Sequence, residues 1–450
     1  MAEVPAHRQA VVIGAGMGGL MAAGALVGHF DRVIVLERDT LPTAAVPRAG
    51  TPQARHVHAL LAGGLKALNE MFPGFENDLL RAGAVPLNGG MEIRVERPGF
   101  DPFPARDVGV QTCAASRPLI EFVLRRRVVQ LPGVQIHAPC RVTEILGSTD
   151  GAAVTGVRYE GADGQARHLG ARLVIDASGR EALTAALLHA AGRASAPQTA
   201  IGIDIGYATA TYEIPPVPER AWKGVMTFPQ APQSSRGALM LPQEGHRWVL
   251  GLGGRGTDKP PGDDAGFLDF ARHLRTPTVF NAIRDARRVG EIVRYAFSQS
   301  VWRHYEQVQD FPRGLLPLGD AICVFNPVYG QGMSVAAQEA LLLRRLLAQG
   351  GAESSALATL APAFFTGLQP LLETPWAMAA IPDFIFPQTT GRRPPDLART
   401  LEMGFAMLRL AARRPDVHKL VVEVQHLLKP RSAYRNPLLM ARLLLEMARA

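Results

Sequence analysis

The opening stretch constrains this chain more than any other part of it. Val11-Val12-Ile13 is an apolar run that breaks into Gly14-Ala15-Gly16-Met17-Gly18-Gly19, and a helix of small residues follows from Leu20. Val33-Ile34-Val35-Leu36 is a second apolar run, closed by Glu37 and Arg38. Strand, glycine turn, helix, strand and acid in this register predict a βαβ unit that holds a dinucleotide. The glycine pattern alone would be weak evidence; its place between two strands and ahead of an acid gives it force. Gly14 lets the chain turn sharply, Gly16 lets backbone approach a pyrophosphate, and Gly19 lets the helix lie close on the sheet. The helix N-terminus offers unpaired N–H groups and the positive end of its dipole to phosphate. Glu37 can accept hydrogen bonds from both ribose hydroxyls and would repel a 2′-phosphate, which argues against NADP at this site.

Length and charge bound the rest. With 450 residues, 47% of them hydrophobic, the chain can bury a sizeable core and is expected to form two intimately joined domains. The 48 basic residues exceed the 40 acidic ones, but they are mostly scattered arginines. No nucleic-acid module is recognisable, so the charge is read as general, with a role in capturing an anionic cofactor or carrier. Cys113, Cys140 and Cys323 have no metal spacing and form no even set, which suits a reducing cytoplasmic setting. The N-terminus carries no signal-peptide pattern, and no run is read as long enough to span a membrane. No metal is expected: His56 and His58 share a face of an extended segment but lack a third ligand.

A second constellation lies far downstream. Leu315 to Leu318 reads as a strand, Gly319-Asp320 follows, and Asn326-Pro327-Val328-Tyr329-Gly330-Gln331-Gly332-Met333 opens a long helix from Ser334 to about Gln349. Between the two constellations, Ser116-Arg117-Pro118 starts a helix with Ser as N-cap. Leu173 to Asp176 is a buried strand ending in Ala177-Ser178-Gly179-Arg180. Runs at 201–212, 224–228, 237–241 and 247–253 predict a mixed or antiparallel sheet, with 298–305 a strand returning to the first domain. Met226, Phe228 and Met240 in that sheet are expected in plain core.

The N-terminal glycine fingerprint, the turn from Asp176 to Arg180 and Gly319-Asp320 with its helix, in this order, resemble the flavin-dependent monooxygenases of the aromatic-hydroxylase type. Within that superfamily Arg48-Ala-Gly-Thr-Pro-Gln53-Ala-Arg-His56-Val-His58, Asp176-Ala-Ser-Gly-Arg180 and the 326–333 segment look like the branch containing polyene polyketide epoxidases. The resemblance spans roughly residues 8–350. It implies an α/β fold: a Rossmann-type FAD-binding domain, an inserted mixed or antiparallel substrate sheet, and C-terminal helices. The FAD-binding domain is then expected over 1–85, 111–195 and 298–350, the substrate domain over 86–110 and 196–297, and a helical region over 351–450.

The resemblance also assigns roles. Gly14, Ala15, Gly16 and Gly19 are expected at the pyrophosphate, Glu37 at the adenosine ribose and Arg38 over the adenine. Arg117 matches an arginine that contacts FAD, and Val142 a position flanking adenine. Asp320 is expected at the ribityl chain or pyrophosphate edge. Gly330, Gly332 and Met333 would present N–H groups to the flavin pyrimidine ring, where the helix dipole favours the anionic reduced form. Arg48, Gln53 and His58 are candidate positions near the flavin, and no catalytic dyad is expected, because the cofactor performs the hard step.

The implied reaction is transfer of one oxygen of O2 to an alkene through a C4a-hydroperoxyflavin, on a hydrophobic polyketide or terpenoid-like substrate. The alternatives are hydroxylation of a phenolic ring, and reduction or dehydrogenation of an isoprenoid. Asp-Ala-Ser-Gly replaces the hydroxylases' Gly-Ala-Asp-Gly, so NAD(P)H supplies electrons either directly or through a separate flavin reductase. The halogenase signature with paired tryptophans is absent, since Trp222, Trp248, Trp302 and Trp376 are isolated in the chain. The terminal segment with Leu438, Leu439, Leu443, Leu444 and Leu445, flanked by Arg442 and Arg449, is read as a core-packing helix in preference to a membrane-surface one.

Overall fold

The computed structural model describes residues 9–181, 183–215, 220–351 and 354–448. Gln9–Ile13, Arg32–Leu36, Val134–His137, Leu173–Asp176 and Leu315–Pro317 form a five-stranded sheet with Gln9–Ile13 at its centre. Every pairing in it is parallel. Apart from the half-exposed edge strand Val134–His137, its strands are rich in Val, Ile and Leu buried on both faces, as a covered parallel sheet requires. The helices Met17–Leu26 and Gly332–Gly350 pack on one face. The antiparallel strands Arg141–Gly147, Val154–Glu160 and Ala166–Gly170 cover the other, setting Val142, Ile145 and Val157 against Val11, Ile13 and Ile34. Because the strands run the same way, their C-terminal ends bring Gly14, Glu37, Ala177 and Leu318 to one edge.

A seven-stranded mixed sheet stands beyond that edge. Its order is Cys323–Val324, Arg288–Arg303, Gln198–Glu213, Arg247–Arg255, Gly237–Gln243, Gly224–Thr227 and Ile93–Glu96, the last pair parallel and the others antiparallel. The stretch 298–305 is not a separate returning strand. It is the end of one long strand, Arg288–Arg303, paired along Gln198–Glu213. Many of that strand's side chains are polar and half-exposed, so its first half gives no apolar run to read.

The two faces of this sheet alternate with period two. Ala208, Ala210, Leu250 and Met240 point to the helices Asp264–Arg272 and Thr278–Ile283 and pack on Phe267 and Phe270. Their neighbours Tyr207, Thr209, Gly251 and Leu239 point to a cavity. Met226 and Phe228 are therefore cavity wall, against the expectation of plain core, while Met240 is core.

The C-terminal region opens with a helix over Ser354–Asp383 that contains Pro362, Pro370, Pro375 and Pro382. By length and composition Ser355–Asp383 could cross a membrane, with mean hydropathy 1.2, which corrects the expectation that no segment is long enough. The internal prolines disguise it as broken sequence. Leu357, Leu360, Phe364, Phe365, Leu368 and Leu372 of this helix are buried in the main core. Leu397–Arg413, Pro415–Gln425 and Pro437–Met447 then pack around Phe103. In the last helix Leu439 and Leu443 are buried, and Leu438, Leu444 and Leu445 are exposed. Arg442 pairs with Asp416 at 3.3 Å, and Arg449 lies outside the described residues.

Candidate functional site

One cavity of about 1570 Å³ begins at the C-terminal edge of the parallel sheet, passes beneath the seven-stranded sheet and ends among the C-terminal helices. At its first end Gly14 has φ +94°, and a Cβ there would lie 2.8 Å from the Ala177 carbonyl oxygen. A Cβ on Gly19 would lie 1.8 Å from the Gly14 carbonyl oxygen. Gly19 is thus required chiefly by contact with the turn itself. At Gly16 the nearest atom to such a Cβ is Arg48 Nη2, 3.9 Å away, so this backbone is left open to the cavity.

Glu37 is buried beside that turn. Its carboxylate accepts from the Ala15 N–H at 2.7 Å and the Asp39 N–H at 2.9 Å. Arg48 binds it at 3.1 Å and also pairs with Asp39 at 2.6 Å and Glu121 at 2.8 Å. Burial works against the Arg48 charge, but Glu121 and Glu37 outweigh it and hold its pKa above the ordinary value. Arg48 is therefore a brace for Glu37. Arg38, at the cavity edge, pairs with Glu181, and Val142 is buried against the same end.

Arg117 follows the Ser116 cap, whose Oγ accepts from the Leu119 N–H. Its Nη2 lies 3.4 Å from Glu121, while its Nε is buried with no protein partner. Opposite, Gly319 takes φ +67° and donates its N–H to Glu339 at 2.6 Å. Asp320 opens into the cavity but is otherwise surrounded by protein, and that burial raises its pKa against Arg180, Arg117 and Arg303. Asp176 is spent on its own turn, accepting from Ser178 and Thr184.

The helix Gly332–Gly350 points its N-terminus into the cavity. A Cβ on Gly332 would touch nothing within 4 Å, and Met333 lines the wall beside it. Gly330 has φ +63°, with Ala59 3.2 Å from where a Cβ would stand. Both amide atoms of the buried Gln331 lack a protein partner. Gln53 lies on the short turn Pro52–Arg55 and lines the cavity. His58 Nδ1 lies 2.9 Å from the His56 carbonyl oxygen. A carbonyl only accepts, so Nδ1 carries the proton and Nε2 is left as an acceptor. Burial, with Arg117 nearby, lowers its pKa to about 3; burial lowers that of His56 to about 4.

Sequence reasoning missed the cluster at the middle of the cavity. Asp383, at the end of the proline-containing helix, pairs with Arg255 of the seven-stranded sheet. It also accepts from Asn326 Nδ2 at 3.0 Å and from the Tyr329 hydroxyl at 3.1 Å. Tyr207 donates to Asn326 Oδ1 at 2.7 Å, and Arg255 reaches Thr389 at 3.2 Å. Burial raises the pKa of Asp383, Tyr207 and Tyr329 alike. This network ties the 326–333 loop to the sheet and to the C-terminal region. The one signal available was Asn326 and Tyr329 flanking Pro327; Asp383 and Arg255 carry no pattern.

The orphaned Arg117 Nε and Gln331 amide, the open backbone at Gly16 and Gly332, and the held acid Glu37 together fit an elongated phosphate-bearing dinucleotide such as FAD. The comparisons agree. Residues 7–361 match the family described as FAD binding domain. The chain is 34% identical over 361 residues to protein Rv3254 of Mycobacterium tuberculosis, covering 75% of this chain and 72% of that one. Among solved structures it resembles the flavin-dependent brominase Bmp2, with TM-score 0.69, 16% identity and 98% of each chain covered. It also resembles p-nitrophenol 4-monooxygenase PnpA from Pseudomonas putida, with TM-score 0.63, 19% identity, and 94% and 98% of the two chains covered. At such identity the likeness to these structures concerns the fold alone.

Proposed function

The chain belongs to the FAD binding domain family; from that premise we propose that it is an FAD-dependent monooxygenase that epoxidises carbon–carbon double bonds of a lipophilic polyketide or terpenoid-like substrate. The observation that carries this reading is the wall of the inner cavity. Met226, Leu239, Ile381, Met403, Met407 and Leu408 line it, drawn from the seven-stranded sheet and the C-terminal helices. An apolar wall binds an apolar body and keeps water from the reacting atoms.

FAD, when bound and reduced, supplies the activation of O2. The protein's own part is to hold it and orient the substrate. Glu37, braced by Arg48 and the Ala15 N–H, presents its carboxylate to the adenosine ribose. Arg117 and the N–H groups of the fingerprint turn face the pyrophosphate, with Asp320 at its edge. The N-terminus of Gly332–Gly350 stabilises negative charge on the pyrimidine side of the ring. Gln331 completes that lining with an amide free to donate and accept.

Phenol hydroxylation favours a base that titrates near neutral pH. His56 and His58 border the cavity, but burial holds both neutral and weakly basic there. That contrast favours the alkene over the phenol. Reducing equivalents come from NAD(P)H, either directly or through a separate flavin reductase. The test is product analysis of the FAD-loaded enzyme given candidate polyenes and phenols, with NADPH alone and with an added flavin reductase. A gain of one oxygen with oxirane signals in the NMR spectrum supports the reading. A phenolic product, or a reduced substrate without added oxygen, overturns it.

A further inference from the structure

Three of the arginines that line the cavity differ in what neutralises them. Arg48 meets three carboxylates and Arg255 meets one. Arg97 meets none among the described residues. It follows the edge strand Ile93–Glu96 and lines the inner part of the cavity. Its guanidinium carbon sits 4.3 Å from the ring centre of Phe228 and 5.8 Å from that of Phe103. Its Nε is buried with no hydrogen-bond partner among the described residues.

The acids nearest in the chain cannot serve it. Glu96 is fully buried and engaged by Arg94, Thr227, Thr276 and Thr278. Asp101 pairs with Arg275. His418, edge-on to Phe103 with ring centres 5.2 Å apart, is held neutral by burial and by Arg106 and Arg97. Desolvation lowers the Arg97 pKa to about 10, so it stays charged at neutral pH. A buried cation without an anion is costly, and ring faces offset only part of that cost. Phe228, Val95 and Ile93 are among the apolar residues that line the same cavity.

We propose that Arg97 is the recognition site for an anionic group on the substrate, a carboxylate or comparable oxyanion carried on an otherwise apolar body. This rests on the reading of the inner cavity as the substrate site, and it narrows the substrate class to amphipathic organic anions. The planar guanidinium suits a two-oxygen partner, because its donors form a fork that matches a carboxylate. The aromatic faces beneath it hold the fork in place. The anion would anchor one end of the substrate and so select which part of the apolar body reaches the flavin end of the cavity.

The test is binding, so it does not depend on turnover. The FAD-loaded protein is titrated calorimetrically with 1-anilinonaphthalene-8-sulfonate and with the uncharged N-phenyl-1-naphthylamine, which share one ring body. The wild type should bind the sulfonate tighter by about tenfold or more, the range of a charge-assisted hydrogen bond. Arg97→Met should lose that preference while keeping its affinity for the neutral amine and its FAD content. Arg97→Lys should keep part of it. Arg435→Ala, an exposed cation at the cavity rim, should keep all of it. Equal affinity of the wild type for the two probes overturns the proposal even if Arg97→Met fails to fold. So does a preference that survives Arg97→Met or vanishes in Arg435→Ala. Oxygenation of a neutral alkene with the probes bound equally would leave the epoxidase reading standing and sink this one.

Discussion

Arg48 and Arg255 are both buried guanidiniums on the wall of one cavity, and they are held in opposite ways. Arg48 closes the fingerprint end, where Glu37 and Asp39 come from the same strand end and Glu121 from the neighbouring helix. Arg255 sits at the middle, where its acid, Asp383, is 128 residues away and its other partner is a threonine hydroxyl. The first cluster holds more negative charge than its arginine can cancel, so it leaves carboxylate charge at the cavity edge. The second balances one charge against one and uses the remaining lone pairs on Asn326 and Tyr329. One cluster prepares a ligand contact; the other fastens three distant segments together.

Arg48→Ala strips the cation from the buried Glu37 and Glu121 and the half-buried Asp39, and should do the greatest damage. A loss of about 3–5 kcal/mol or more is expected from breaking a buried ion pair, read by urea denaturation, with FAD no longer retained on gel filtration. If stability and FAD content survive, the fingerprint end is not organised by Arg48.

Asp383→Ala leaves one buried cation, Arg255, unpaired. About 3 kcal/mol is expected, the lower end of the same range. The distinguishing result is at a distance: FAD affinity should also fall, because Asn326 and Tyr329 lose the acid that fixes the 326–333 loop. Unchanged FAD affinity in a folded Asp383→Ala protein would separate the network from the cofactor site.

Glu339 sharpens the comparison through pH. It is fully buried behind Gly319, and burial pushes its pKa up to about 8. The folded protein therefore keeps a proton that the unfolded chain releases above the ordinary carboxyl range. Stability from this group is full at low pH and falls as pH rises towards about 8, by about 1 kcal/mol per pH unit. Glu339→Gln keeps an oxygen for the Gly319 N–H and removes the titration. Its stability advantage over the wild type should grow from pH 5 to pH 8 and then level off. A pH-independent difference in urea denaturation would contradict the assignment.

Gly332→Ala should have the smallest effect on stability, within about 0.5 kcal/mol, since the added Cβ meets no protein atom. It should still weaken FAD binding, measured by fluorescence titration of the apoprotein. Equal FAD affinity would move the cofactor away from this helix N-terminus.

Much of the first cluster was readable in the chain. Gly14, Gly19 and Glu37 lie within one βαβ unit, so their spacing reports their geometry. Ser116 announced its own helix for the same reason. Arg48 was noticed as a loop position near the cofactor but not as the partner of Glu37, Asp39 and Glu121, because a sequence cannot say which of several nearby acids an arginine will meet. Met226 and Phe228 were read as core because alternation identifies two faces without saying which one meets a cavity. Asp383 left no trace: a single acid ending a proline-rich helix looks like any helix end.

The sequence by itself determined the βαβ unit, the dinucleotide turn, the second glycine-rich loop and the order in which they occur. These depend on backbone conformation and on contacts between residues close in the chain, where residue type and spacing are enough. Only the tertiary structure decided that Asp383 and Arg255 clamp the 326–333 loop, that one face of the seven-stranded sheet lines the cavity, and that Arg97 meets no carboxylate among the described residues. Those outcomes depend on which distant side chains burial brings together, and burial selects for apolar area and shape without recording its partners in any local pattern.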